Sequence, residues 1–279
     1  MSHFSIYEIK EEKTNSWFKI SPERGGIVTS IGLHGQEILY LNEETFYDKH
    51  SNVRGGIPIL FPICDRLENN QYTIEDKIFQ MNNHGFARNA SWNVKSVDEE
   101  SQFITLELWN NEETYKQYPF EFHLTFTFEL CNGEFIIHQS YQNLSHKVMP
   151  FYSGFHPYFR IENKKVELAT DASTYLDVND NTVKPITNKI DLTDEREALI
   201  LLDSKNPEIM FPIHERKSLR LKYSNEFKYV TLWSEPEKEF LCIEPWMAKP
   251  NSLNTKKDIQ RLRPKEVLHT FLTIALKER

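Results

Sequence analysis

From Glu121 to Leu130 the chain reads EFHLTFTFEL, with Phe122, Leu124, Phe126, Phe128 and Leu130 alternating with Glu121, His123, Thr125, Thr127 and Glu129. Only an extended chain sends successive side chains to opposite faces, so this run predicts a half-buried β-strand. Comparable runs lie at Phe103–Trp109, Phe135–Gln142, Ser218–Tyr223, Tyr229–Trp233, Phe240–Glu244 and Leu268–Leu276. Between two of them, Cys131-Asn132-Gly133-Glu134 predicts a hairpin turn centred on Asn-Gly. Helical signals are confined to Asn111–Tyr118, stopped by Pro119, and to Asp191–Ile200. Many strands without a strand–helix rhythm predict an all-β antiparallel sandwich or barrel rather than a doubly wound sheet. No internal repeat or Pro/Gly/Ser-rich linker interrupts the chain, which predicts one domain over residues 1–279. Thr170–Leu202, the most polar and least regular stretch, is expected to form long loops over one face.

The 279 residues are 39% hydrophobic, which is enough to build a core and argues against disorder. A formal charge of −8 argues against a broad nucleic-acid surface, though a local basic pocket is compatible with it. Cys64, Cys131 and Cys242 are scattered and unpaired in pattern, as suits a reducing compartment. Met1 to Glu12 has no apolar segment of the signal-peptide kind, and no apolar run approaches the roughly 20 residues of a membrane span. The expectation is a soluble cytoplasmic protein with no membrane or nucleic-acid partner.

Four segments combine reactive groups with residues that stiffen a backbone or wall a pocket. In Asn52-Val53-Arg54-Gly55-Gly56-Ile57-Pro58, leading into Ile59-Leu60-Phe61-Pro62, glycines and prolines set a rigid corner that carries Arg54. Its guanidinium suits sugar hydroxyls or a phosphate; the plainer reading is a surface arginine at a turn. In Asn83-His84-Gly85-Phe86-Ala87-Arg88, His84 either serves a site or caps a loop. In Ser153-Gly154-Phe155-His156-Pro157-Tyr158-Phe159, His156 is walled by aromatics that exclude water; the alternative is a packed strand whose histidine bonds a carbonyl. In Leu241-Cys242-Ile243-Glu244-Pro245-Trp246, a carboxylate ends an apolar strand, where burial demands either an ion pair or a chemical role.

The ten histidines form no H-x-H or H-E-x-x-H motif, and no nucleophile elbow is present. His84, His156 and Glu244 could in principle make a two-histidine, one-carboxylate metal site, which their wide separation neither supports nor excludes.

Taken in order, RGGIPILFP, NHGFARNASW, YPFEFHLTFTFEL, SGFHPYF and CIEPW resemble the aldose 1-epimerase (galactose mutarotase-like) superfamily, near its hexose-6-phosphate epimerase branch. The resemblance runs from about Gly25 to Leu276 and implies a large antiparallel β-supersandwich. It implies His156 and Glu244 as catalytic groups, and His84, Arg54 and Arg88, with Asn83 beside them, as substrate-binding groups. It also implies a substrate-binding aspartate in the variable middle region, for which Asp171, Asp191 and Asp194 are candidates. Two spellings depart from the family: Pro157 follows the histidine where threonine is more usual, and Asn83 stands where glutamine often precedes the histidine in the sugar-phosphate branch.

Mutarotation requires a base at the anomeric hydroxyl and an acid at the ring oxygen, so the expected assignment is Glu244 as base and His156 as acid. The chemistry needs no metal and no cofactor. The expected partner is a small-molecule sugar or sugar phosphate, with the oligomeric state left open. The competing reading is a non-catalytic carbohydrate-binding protein on the same fold. A polysaccharide hydrolase would call for two carboxylates, and only Glu244 stands out.

Overall fold

The structure, a computed structural model, describes residues 4–187, 189–194 and 197–278. Its centre is a seven-stranded antiparallel sheet. The strand order is Glu208–His214, Lys217–Tyr223, Val267–Glu278, Glu134–Asn143, Phe122–Cys131, Phe103–Trp109 and Asn93–Asp98. The alternation at 121–130 is realised: Phe122, Leu124, Phe126, Phe128 and Leu130 are all buried, and the residues between them are partly exposed. Asn132 and Gly133 take φ values of 52° and 75°, the left-handed pair that a tight two-residue hairpin needs.

A second sheet faces this one. It runs Thr182–Pro185, Thr174–Asp177, Leu199–Leu201, Tyr229–Trp233, Phe240–Trp246, Gly154–Phe155 and Ile59–Leu60, with Tyr158–Arg160 also paired to Phe240–Trp246. Phe61, Phe126, Phe155 and Tyr141 fill the space between the sheets, Phe61 lying 5.1 Å from the ring of Phe122 and Phe126 6.3 Å from that of Phe155. Each such ring removed from water contributes about 1.5–3 kcal/mol. A four-stranded sheet, Tyr7–Glu11, Ser16–Ser21, Ile27–Leu33 and Gln36–Glu37, packs Phe18 against Phe135 of the seven-stranded sheet. The fold class is therefore an all-β antiparallel sandwich, as expected. Among the described residues no helix is long and apolar enough to cross a membrane.

The short helix Glu112–Gln117 forms where expected. Asn111 caps it by accepting hydrogen bonds from the N–H groups of Glu113 and Thr114, and Pro119 follows its end. The helix expected over Asp191–Ile200 does not form. Ile190–Asp191 pairs with Lys165–Val166, and Leu199–Leu201 inserts between two strands of the second sheet; residues 195 and 196 lie outside the described residues. Most of Thr170–Leu202 is loop and turn, as expected, but three of its segments are strands of that sheet. At Asp191–Ile200 pairing to neighbouring strands outweighs a weak local preference for helix.

Candidate active site

The four segments singled out in the sequence converge over the central strands of the second sheet, Tyr229–Trp233 and Phe240–Trp246. The strand Phe240–Trp246 is buried along its whole length. Alternation puts Cys242, Glu244 and Trp246 on one side. On the neighbouring strand Thr231 is paired with Glu244 and Trp233 with Cys242. Arg54, Asp65, Arg66, Asn83, His84 and His156 complete the walls of a cavity of about 200 Å³, together with Glu197 and Ala198 from the middle region. Size does not single this cavity out. A surface groove lined by Ile74, Phe79 and Tyr115 reaches about 410 Å³, but its charged and titratable groups, Glu75, Lys77, Glu121, His146 and Lys147, are all exposed, whereas His84, His156 and Glu244 are buried.

His156 follows the short strand Gly154–Phe155. Its N–H donates to the carbonyl of Pro58 at 3.2 Å, and its ring stacks on Tyr158 with centroids 4.7 Å apart and planes 9° from parallel. Trp233 meets the imidazole edge-on at 5.7 Å. Nε2 of His156 lies 3.5 Å from Oε1 of Glu244, a contact at the limit of a hydrogen bond. Burial favours the neutral form of each member. It pulls His156 down to about 3, aided by the positive charges of Arg88 and Arg54. It raises the Glu244 carboxyl well above its ordinary value, aided by nearby Asp65 and opposed by Trp246 and Arg88. The Trp246 indole N–H approaches the carboxylate without meeting hydrogen-bond geometry.

His84 sits in a left-handed conformation, φ 64°, clasped to Asp65 twice. The His84 N–H donates to the Asp65 carbonyl at 2.9 Å, and the Asp65 N–H donates to Nδ1 of His84 at 2.8 Å. Because Nδ1 accepts, the ring is the Nε2–H tautomer and presents a donor, in keeping with a pKa lowered by burial and by Arg88 and His156. The next residue, Gly85, has φ +69°, and a Cβ there would lie 2.3 Å from the Phe61 carbonyl oxygen. Glycine is what lets this loop lie against the Phe61 strand.

The arginines differ. Nε of Arg54 lies 3.1 Å from Oε1 of Glu235, with the guanidinium over the Trp233 ring at 5.3 Å. Arg66 bridges Asp65 at 3.6 Å and Glu197 at 2.7 Å. Arg88 donates from Nη2 to the Asn83 carbonyl at 3.1 Å, and burial lowers its pKa to about 10. Asn83 is exposed on the cavity rim.

Of the eight buried side-chain polar atoms without a hydrogen-bond partner among the described residues, four belong to residues that line the cavity, His156 Nδ1, Thr231 Oγ1, Glu244 Oε2 and Trp246 Nε1, and a fifth is Nε of Arg88, which does not line it. Such atoms are costly in a core, so their concentration marks surface meant for a ligand. Among the described residues His84 does not join His156 and Glu244 in a set of close ligand atoms. A different trio, His156, Cys242 and Glu244, has ligand atoms all within 4.8 Å of one another.

The middle-region aspartates are a correction. Asp171 accepts from Ser204, Lys205 and Asn206, Asp191 pairs with Lys165 at 2.9 Å, and Asp194 is exposed; none lines the cavity. The middle-region carboxylate that does is Glu197. Asp65, Arg66, Thr231 and Trp233 were also missed. For Thr231 and Trp233 a signal existed, since a strand beside CIEPW must place residues opposite Cys242 and Glu244.

A family model described as aldose 1-epimerase matches residues 14–268. The solved structure of the Slr1438 protein from Synechocystis sp. PCC 6803 superposes with a TM-score of 0.96 at 31% identity, over 100% of this chain and 97% of that one. Protein LacX (chromosomal) of Lactococcus lactis subsp. lactis is 29% identical over 88% of this chain and 89% of its own length. A galactose mutarotase related enzyme from Lactobacillus acidophilus is 25% identical, with a TM-score of 0.81 over 98% of this chain and 97% of that one.

Proposed function

The chain belongs to the aldose 1-epimerase family, and on that premise we propose that it interconverts the α and β anomers of a hexose or hexose 6-phosphate by acid–base ring opening and closure. One observation carries this reading: His156 and Glu244 stand 3.5 Å apart at a cavity whose lining residues carry four buried polar atoms with no hydrogen-bond partner among the described residues. Sugar hydroxyls and the ring oxygen supply the partners those atoms lack.

The pair needs one proton between its two members. Ring opening takes the anomeric O–H proton to one member while the other gives its proton to the ring oxygen. The C1–O5 bond breaks, the carbonyl turns its other face, and the reverse transfers close the ring, leaving the pair as it began. Without sugar, burial favours Glu244 as the carboxylic acid and His156 as neutral imidazole. Moving that proton to His156 produces the carboxylate base and imidazolium acid expected from the sequence. Used directly, the neutral forms make His156 the base and Glu244 the acid. The two arrangements carry the same proton count, and one complete turnover requires both directions of transfer.

His84 supplies a fixed Nε2–H donor, and Arg54, Arg88 and Asn83 orient the sugar. Tyr158, Trp233 and Trp246 keep water from the reacting atoms. The test is anomer exchange followed by NMR or polarimetry, corrected for the spontaneous reaction. Glu244→Gln and His156→Asn should fold, bind sugar and lower the rate by about 10²–10⁴-fold each. Wild-type rates in both variants would overturn the assignment. A wild-type protein that binds sugar without exceeding the spontaneous rate would instead support the sugar-binding reading.

A further inference from the structure

We propose that His156, Cys242 and Glu244 form a site for a soft divalent cation of the zinc class, and that an ion held there switches the pocket off. The inhibitory half rests on the proposed function; the binding half does not.

The donors are a thiol, an imidazole and a carboxyl, the nitrogen, sulfur and oxygen set that zinc takes. Their ligand atoms lie within 4.8 Å of one another. Bonds of about 2.0–2.3 Å in a tetrahedron separate ligand atoms by roughly 3.3–3.7 Å. The His156–Glu244 edge, at 3.5 Å, already has that length, and the Cys242 sulfur needs only to draw in. The backbone holds all three close. Cys242 and Glu244 alternate along one face of the buried strand, and Tyr158, on which the His156 ring stacks, is paired with Cys242 in the sheet.

Three further observations point to a ligand. His156 and Glu244 are 7% and 1% exposed, and each has a ring nitrogen or carboxyl oxygen with no hydrogen-bond partner. Binding therefore sacrifices little more than the long contact between them. Charge balances as well. A dication with one thiolate, one carboxylate and one neutral imidazole is neutral overall, and the two displaced protons leave to solvent, so no net charge is buried. The third is that Cys242 has no place in the proton transfers, its sulfur lying behind the pair among Tyr158, Phe240 and Trp233. The cavity leaves a fourth coordination position to water. Arg54 and Arg88, facing the same region, oppose the ion and hold its affinity below that of a structural zinc site. Once bound, the ion occupies the lone pairs that must exchange protons with the sugar, so inhibition is competitive with substrate.

The experiment is a cobalt(II) titration of chelator-treated protein carrying Cys131→Ala, which removes the exposed thiol. One equivalent of cobalt should give a near-ultraviolet sulfur-to-cobalt charge-transfer band and the visible bands of a four-coordinate ion. Zinc should abolish both. Cys242→Ala should lose the charge-transfer band, keep the metal-free anomerisation rate and need more than about tenfold more zinc for half inhibition. If circular dichroism shows that Cys242→Ala does not fold, Cys242→Ser replaces it. Absence of the band in the parent protein, or its persistence in the Cys242 variant, would overturn the site. A band with zinc binding but no inhibition would overturn the switch and leave the site standing.

Discussion

Thr231 and Glu244 stand opposite each other on adjacent strands, and each carries a buried oxygen without a hydrogen-bond partner inside the protein. The threonine hydroxyl is therefore placed to hold a sugar hydroxyl next to the acid–base pair. Thr231→Val keeps the shape and removes the hydroxyl. We expect KM to rise about three- to tenfold, the equivalent of one hydrogen bond of roughly 0.5–1.5 kcal/mol, with kcat little changed. Thr231→Ser should restore KM. Steady-state anomerisation kinetics decide it, and a normal KM in Thr231→Val would remove Thr231 from the substrate contacts.

The pH profile should belong to the pair rather than to an ordinary histidine. His156 takes up a second proton only near 3, and the Glu244 carboxyl gives up its proton well above the usual carboxylate range. Between those limits the pair holds the single proton that ring opening needs. Activity should thus persist through mildly acidic solution and fall as the pH rises through the raised Glu244 value. Rates that climb with pH through the ordinary histidine range, near 6.5, would contradict this order.

On the proposed function, a phosphorylated and a free sugar should be told apart at the arginines. Glu235 neutralises Arg54 and Glu197 neutralises Arg66, whereas Arg88 bonds only a carbonyl. Arg54→Ala and Arg88→Ala should each lower use of a hexose 6-phosphate more than of the free hexose; equal losses would assign both arginines to hydroxyls. Glu235→Gln frees the Arg54 charge and should shift preference towards the phosphate by about fivefold, close to 1 kcal/mol for a half-exposed pair. Competition between the two sugars in one reaction measures this directly.

Two glycines hold the site's loops in place. At Gly25, φ +82°, a Cβ would lie 2.0 Å from the Arg88 carbonyl oxygen; at Gly85, φ +69°, it would lie 2.3 Å from that of Phe61. Left-handed backbone alone costs a residue with a side chain roughly 1–2 kcal/mol. Gly85→Ala should destabilise the protein by about 2 kcal/mol or more and displace His84. Gly25→Ala should displace the Arg88 segment and lower kcat/KM. Thermal unfolding together with kinetics separates the two effects, and a fully active, fully stable Gly85→Ala would contradict the packing described.

The strands and the turn at Asn132-Gly133 were legible because each is dictated by residues adjacent in sequence. So was the capped helix after Asn111. His84, His156, Glu244 and Arg54 were legible as candidates because costly or reactive groups sit beside glycine, proline and aromatic residues. The middle region was not. Asp191–Ile200 carries helix-like charge spacing, yet the partner that claims Leu199–Leu201 is Thr231 and its neighbours, far along the chain. Glu197 reaches the cavity rim and bonds Arg66 across 131 positions of sequence, which no local pattern encodes.

The wholly buried strand Phe240–Trp246 has one more consequence. Glu244 lies inside it, opposite Thr231, on a strand paired along one side with Tyr229–Trp233 and on the other with Gly154–Phe155 and Tyr158–Arg160, so opening the backbone around Glu244 requires the sheet to come apart. The rim around Glu197, held by an exposed ion pair, can open and close at far smaller cost. On heating, loss of catalysis should therefore coincide with global unfolding instead of preceding it. On the proposed function, sugar should enter and leave past the rim while the reacting groups keep their spacing.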